Sequence, residues 1–198
     1  MTDLAATTDG RVARRERNID NVLDVVLEMF VEESLFPSIE QTAKRSGLSL
    51  RSLYRYFADP VELLEAVIVR SRERLSKAVL LPAIGEGPLT DRITDFVAMR
   101  LRVHEISGPT YRATVANAAR HPRVAAELAL NRELMRDQFA LQFASELGPL
   151  AVEQRQHVLS AGDLLTQLDS VDFLRRHRDL SPSETAAILH TALMAQLT

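Results

Sequence analysis

Between Gln41 and Phe57 the chain carries four cations, Lys44, Arg45, Arg51 and Arg55, and no acidic residue. Hydroxyls interleave with them: Ser46, Ser49, Ser52 and Tyr54. Guanidinium, ammonium and hydroxyl donors at this density are what a protein uses to meet phosphate oxygens and the guanine edge. A second basic run, Arg11, Arg14, Arg15 and Arg17 around the single Glu16, lies upstream. The net charge of −3 therefore hides two local basic patches in an otherwise acidic chain, and for nucleic acid the patch matters more than the sum. Other chemistries find little support. The histidines at 104, 121, 157, 177 and 190 form no His-x-x-x-His pair and no Glu-x-x-His repeat, and no nucleophile elbow is present. With no cysteine, disulfides and thiolate-held metals are excluded, which suits a reducing cytoplasm. No catalytic residue, metal site or cofactor is expected.

Helices must position the basic patches. Hydrophobic residues make up 46% of the 198, charged residues 26%, and glycine only seven, a composition that leans all-α. Residues 1–10 are polar and aperiodic and read as a disordered tail. Over residues 11–33, Ile19, Val22, Leu23, Val26, Leu27 and Phe30 recur at spacings of three and four, predicting an amphipathic helix broken by Leu35-Phe36-Pro37. Ser38 with Gln41 forms a capping box for a short helix over 39–46, and Gly47 supplies its left-handed end. Ser49 caps a third helix over 50–56, and Asp59-Pro60 starts a fourth reaching toward Leu80. Further helices are predicted over 89–106, 110–120, 122–147, 150–178 and 182–197, punctuated by Gly108-Pro109, His121-Pro122, Gly148-Pro149 and Ser181-Pro182. About nine helices result, divided into a head over 11–57 and a body over 58–198. No apolar run is long enough to span a membrane.

Ala43, Gly47 and Leu48 occupy the places where a helix-turn-helix needs a small residue, a positive-φ turn and a locking apolar side chain. Leu53 then faces the core, leaving Leu50, Arg51, Ser52 and Arg55 outward to enter a major groove. Arg51 is the candidate base reader, through guanine O6 and N7. Ser38, Lys44, Ser49 and Tyr54 are candidates for phosphate contact, and Arg14 and Arg17 could add backbone or minor-groove contacts.

The run from Ala43 through Phe57, ending in Leu53-Tyr54-Arg55-Tyr56-Phe57 and followed by Glu62-Leu63-Leu64, closely resembles the signature of tetracycline-repressor (TetR) family regulators. Residues 173–182 also resemble the segment between the last two helices of many actinobacterial members. This resemblance implies a homodimer on a palindromic double-stranded DNA operator, released by a small-molecule effector, with repression as the usual output. Three positions depart from the pattern. Glu33-Ser34 stands where a glycine is usual and Thr42 where isoleucine is common. Pro60 replaces the lysine that opens the fourth helix, which removes one phosphate contact because proline offers neither charge nor N–H.

In the body, residues 185–198 contain no Asp, Glu, Lys or Arg. Their apolar stripe, Ile188, Leu189, Ala192 and Leu193, with Val158, Ala161, Leu165 and Leu168 on the preceding helix, predicts a four-helix dimer interface, Ala161-Gly162 permitting close approach. Phe96, Met99, His104, Tyr111, Met135, Phe139 and Phe143 are candidates to line an apolar effector cavity, with Asp163 or Gln167 as a polar handle. The competing expectation is a helical ligand-binding or protein-interaction module that does not bind DNA, favoured by the acidic total and by Pro60.

Overall fold

A computed structural model describes residues 3–33, 37–76 and 78–198. The described residues form helices and no strand: α1 (Asp3–Glu33), α2 (Ile39–Ser46), α3 (Leu50–Tyr56), α4 (Pro60–Leu75), α5 (Leu89–Ala118), α6 (Pro122–Gln142), α7 (Ala144–Leu147), α8 (Val152–Thr166), α9 (Leu168–Asp172) running into a π-turn (Phe173–His177), and α10 (Pro182–Leu197). None of these helices is long and apolar enough to cross a membrane.

Local chemistry explains the ends of α2, α4 and α10. Ser38 Oγ accepts from the Gln41 amide and Gln41 Oε1 from the Ser38 amide, closing the capping box; Ser181 and Glu184 do the same for α10. Gly47, at φ 71°, closes α2 in the left-handed region, and its N–H reaches the Ala43 carbonyl. Asp59 caps α4 with Pro60 at its first position, where no N–H is needed.

Other boundaries differ from expectation. The expected disordered tail is instead helical from Asp3: once α1 is nucleated, each added residue needs only one more hydrogen bond, and no proline interrupts it. The expected break at Leu35-Phe36 lies outside the described residues. Gly108-Pro109 does not end a helix, because α5 runs through it. Proline there costs about 3 kcal/mol in an isolated helix, but α5 is the central helix, packed against α1, α4, α6, α9 and α10, and that packing offsets the lost bond. Conversely, the stretch expected as one helix over 122–147 breaks at Phe143, whose ring turns into the core. That over 150–178 breaks at the extended Gln167 and ends in the π-turn.

Two apolar cores result. The head core joins Val22, Val26 and Phe30 of α1 to Ile39, Leu53 and Phe57, and runs on through Leu63, Leu64, Val67 and Ile68 of α4, with Ala113 and Val124 of the body closing it. The body core centres on Phe96, Phe139 and Phe143, with Leu189, Leu193 and Leu197 of α10 packed into it. α4 thus belongs to the head by its first half and to the body by its second.

Candidate nucleic-acid interface and body cavity

The angle of α3 is set by apolar and polar anchors. Leu53 is fully buried and Phe57 nearly so. Arg45 pairs in bidentate fashion with Glu32 at 2.7 and 2.8 Å, tying α2 to α1, and the Asn21 side chain donates to the Ser46 carbonyl at 3.2 Å. Tyr56 is buried, its hydroxyl accepting from Asn18 at 3.1 Å and Arg55 at 3.3 Å. Arg70 and Arg74 of α4 both reach Asp24 of α1, at 3.3 and 2.7 Å.

Against this frame one surface stays open. Leu50 and Tyr54 are 43% and 51% exposed, large values for such side chains, and Arg51 is exposed beside them. Lys44 on α2 and Arg14 and Arg17 on α1 are exposed too. None of Arg14, Arg17, Lys44 and Arg51 has a carboxylate partner among the described residues, whereas Arg45, Arg70 and Arg74 are all paired. The remaining candidates already have local duties. Ser38 and Ser49 act as helix caps, Ser52 shares a 3.0 Å hydrogen bond with Ser49, and Arg55 lies over the Tyr56 ring at 5.3 Å while its side chain remains exposed. The side chain of Arg11 lies outside the described residues.

In the body, α4, α5 and α6 with Leu168 of α9 line a partly open cavity of about 400 Å³. Ile68, Ser71, Arg72 and Leu75 of α4 form one wall, and Arg100, Val103, Ser107, Thr110 and Tyr111 of α5 a second. On α6, Met135 and Gln138 lie deeper, and the exposed Leu134, Asp137 and Leu141 stand at the rim.

Of the residues expected to line a cavity, Tyr111 and Met135 do. The others are placed elsewhere. Phe96, Phe139 and Phe143 are fully buried and pack on one another with centroids 4.8 to 5.7 Å apart, edge-on or tilted; together with buried Met99 they are body core. His104 meets Asp172 at 3.1 Å, a carboxylate that also accepts from Arg112 at 2.9 Å. Asp163 accepts from Gln167 at 2.5 Å, and neither borders the cavity. The Tyr111 hydroxyl donates to Asp169 at 2.5 Å, and burial followed by that carboxylate raises its pKa above the usual phenol value.

Reading the sequence missed Arg100, although a signal existed. It sits in register with Ile93, Phe96, Val97 and Val103 on the buried face of α5, and an arginine in the apolar stripe of a helix is out of place unless something holds it.

The expected dimer face divides as well. Leu168, Leu189 and Leu193 are buried within the single chain and are not available to a partner. They lose that assignment because α10, with Leu189 and Leu193, and α9, with Leu168, both pack on α5 and bury these leucines in the body core. Ala161 and Ile188 are exposed, and Val158, Leu165 and Ala192 half-buried. Leu164, which the sequence reading passed over, is 67% exposed on the same helix as Ala161. Gly162 does permit a close approach, but to Phe139 of its own chain: a Cβ there would lie 2.0 Å from the ring.

No family profile matches the chain. Over 105 residues it is 31% identical to the HTH-type transcriptional regulator BetI of Klebsiella pneumoniae (strain 342), a stretch that covers 52% of each protein, so the chain matches about half the length of that curated relative. Among solved structures, a TetR-family transcriptional regulator from Streptomyces coelicolor superposes with a TM-score of 0.72 over 91% of this chain and 80% of that one, at 19% identity.

Proposed function

We propose, from the TetR-family fold that the structural match shows, that the protein is a sequence-specific, DNA-binding transcriptional regulator of the cytoplasm. It acts as a homodimer on a palindromic operator and, by default, represses. The observation that carries this reading is the open face of α3, where Arg51, Leu50 and Tyr54 stand exposed, and Arg51, Lys44, Arg14 and Arg17 lack carboxylate partners among the described residues. An α-helix with such a face fits the major groove. Arg51 reads bases, while Lys44, Tyr54, Arg14 and Arg17 hold the phosphates, with Ser38, Ser49, Ser52 and Arg55 at the edge of the contact. Pro60 leaves the start of α4 without a charged donor, and the unpaired arginines of α1 supply the electrostatic attraction instead.

Release follows from the double membership of α4. The same helix contributes Leu63, Leu64 and Val67 to the head core and Ser71, Arg72 and Leu75 to the cavity wall. A small molecule that binds better when this wall is displaced favours a dimer in which the two heads no longer match successive major grooves.

Selection from random duplexes with the purified protein tests the reading. A recovered palindrome, binding that falls steeply with salt, and relaxed sequence preference in Arg51→Ala worth about 1–3 kcal/mol of discrimination are expected. Recovery of no duplex would favour an interaction module without DNA binding.

A further inference from the structure

The cavity surface is mostly apolar, and among its lining residues Arg100 is the one buried charged side chain. Arg100 lines it with a side chain that is 1% exposed, and among the described residues no carboxylate pairs with it. Its two hydrogen bonds go to neutral acceptors, Gln138 Oε1 at 2.8 Å and the Met135 carbonyl at 2.7 Å. The Nε–H is buried with no acceptor. A guanidinium carries five N–H donors, so most of its donor capacity is unused.

The other buried arginine shows what a purely structural one looks like. Arg92 has Glu146 as a carboxylate partner and further bonds to the Gly87 and Gln142 carbonyls; its pKa is raised, chiefly by the hydrogen bonds to Glu146. Arg100 lacks that partner. Burial pulls its pKa down to about 9 against a weaker opposing pull from Asp163, which leaves it charged at neutral pH. Asp163 is itself engaged by Gln167 at 2.5 Å and by Arg136 at 3.6 Å. The remaining charges at the cavity do not neutralise Arg100 either. Arg72 is paired with Glu127, and Asp137 stands exposed at the rim.

The guanidinium is also held in place. It lies 4.5 Å from the Phe96 ring centroid, and Gln138, which accepts from it, donates in turn to the Val79 carbonyl at 2.8 Å. Three of the hydroxyls at the cavity are committed: Ser107 donates to the Val103 carbonyl, Thr114 to the Thr110 carbonyl and Tyr111 to Asp169. A fixed, desolvated cation with spare donors at an apolar wall is the arrangement that binds an anion by charge-assisted hydrogen bonds.

We propose that the ligand of this cavity is an organic carboxylate with an apolar body, its carboxylate held by the Arg100 guanidinium and its body lying along Val103, Met135 and Leu168. This rests on the reading of the cavity as the sensing site. The apolar body fills volume beside α4, and the anion supplies the counter-charge that Arg100 lacks.

Displacement of the neutral fluorophore N-phenyl-1-naphthylamine from the full chain tests both levels. Octanoate and 4-phenylbutanoate are compared with their uncharged primary amides. In the wild type the acids should displace at roughly ten- to hundredfold lower concentration than the amides. In Arg100→Gln that preference should vanish while the amides and the fluorophore bind as before; Arg100→Lys, keeping the charge but not the fork, should retain part of it. Equal displacement by acid and amide in the wild type overturns the proposal without any variant and leaves the sensing cavity standing. A preference that persists undiminished in Arg100→Gln overturns it too. If the wild type takes up neither fluorophore nor acid, the sensing reading itself fails, and this proposal with it.

Discussion

Gly162 lies against the Cζ end of the Phe139 ring, closely enough that any β-carbon would overlap it. Phe139 cannot retreat, because Phe96 and Phe143 hold it from two other directions. Gly162→Ala should therefore destabilise the body by about 1–3 kcal/mol, the range for overpacking a filled core, even though alanine is the better helix former. Thermal unfolding of the purified variant would register the loss, and an unchanged or higher midpoint would show that α8 can shift. The sequence marks this glycine as a place of close approach; only the packing says that the neighbour is Phe139 and not a second chain. Arg100 and Arg92 teach the same lesson for charge. Both fall on the buried side of α5, yet Glu146, which neutralises Arg92, is 54 residues away in the chain, so no local pattern tells one from the other.

At the scale of elements, capping bonds connect residues three or four apart, and for that reason α2, α3 and α10 are legible in the sequence alone. Ser38 and Ser49 matter here in a way that differs from phosphate contact. Each side chain accepts a backbone N–H that the first turn would otherwise leave unsatisfied. Ser38→Ala and Ser49→Ala should each cost about 0.5–2 kcal/mol of stability, measurable by denaturant unfolding without DNA present. A variant that lost operator binding at full stability would instead assign the serine to the phosphate backbone. The long helices were less legible for a matching reason. Whether Pro109 ends a helix or is carried through it depends on what surrounds α5, and whether Phe143 and Gln167 break one depends on the core that receives their side chains.

For the whole molecule, the proposed assembly depends on which surfaces single-chain packing leaves open. α10 commits Leu189, Leu193 and Leu197 to its own core and offers Ile188, while α8 offers Ala161 and Leu164. The double variant Leu164→Glu, Ile188→Glu places charge on this face without touching the body core. It should convert the proposed dimer to a monomer in sedimentation or light scattering while helicity stays unchanged, and operator affinity should fall because one head alone reads a half-site. A variant that remains dimeric would move the interface elsewhere on the chain. The helical class, the caps, the Gly47 turn and the outward placement of Arg51 are legible in the residues alone, because each follows from composition or from contacts that close within a few residues. Which leucines are spent in the chain's own core and which stay exposed, the sharing of α4 between head and body, and the presence of Arg100 in the cavity lining emerge only from the packed fold. These depend on side chains meeting across tens of residues, where helical periodicity shows that a face is buried but not what buries it.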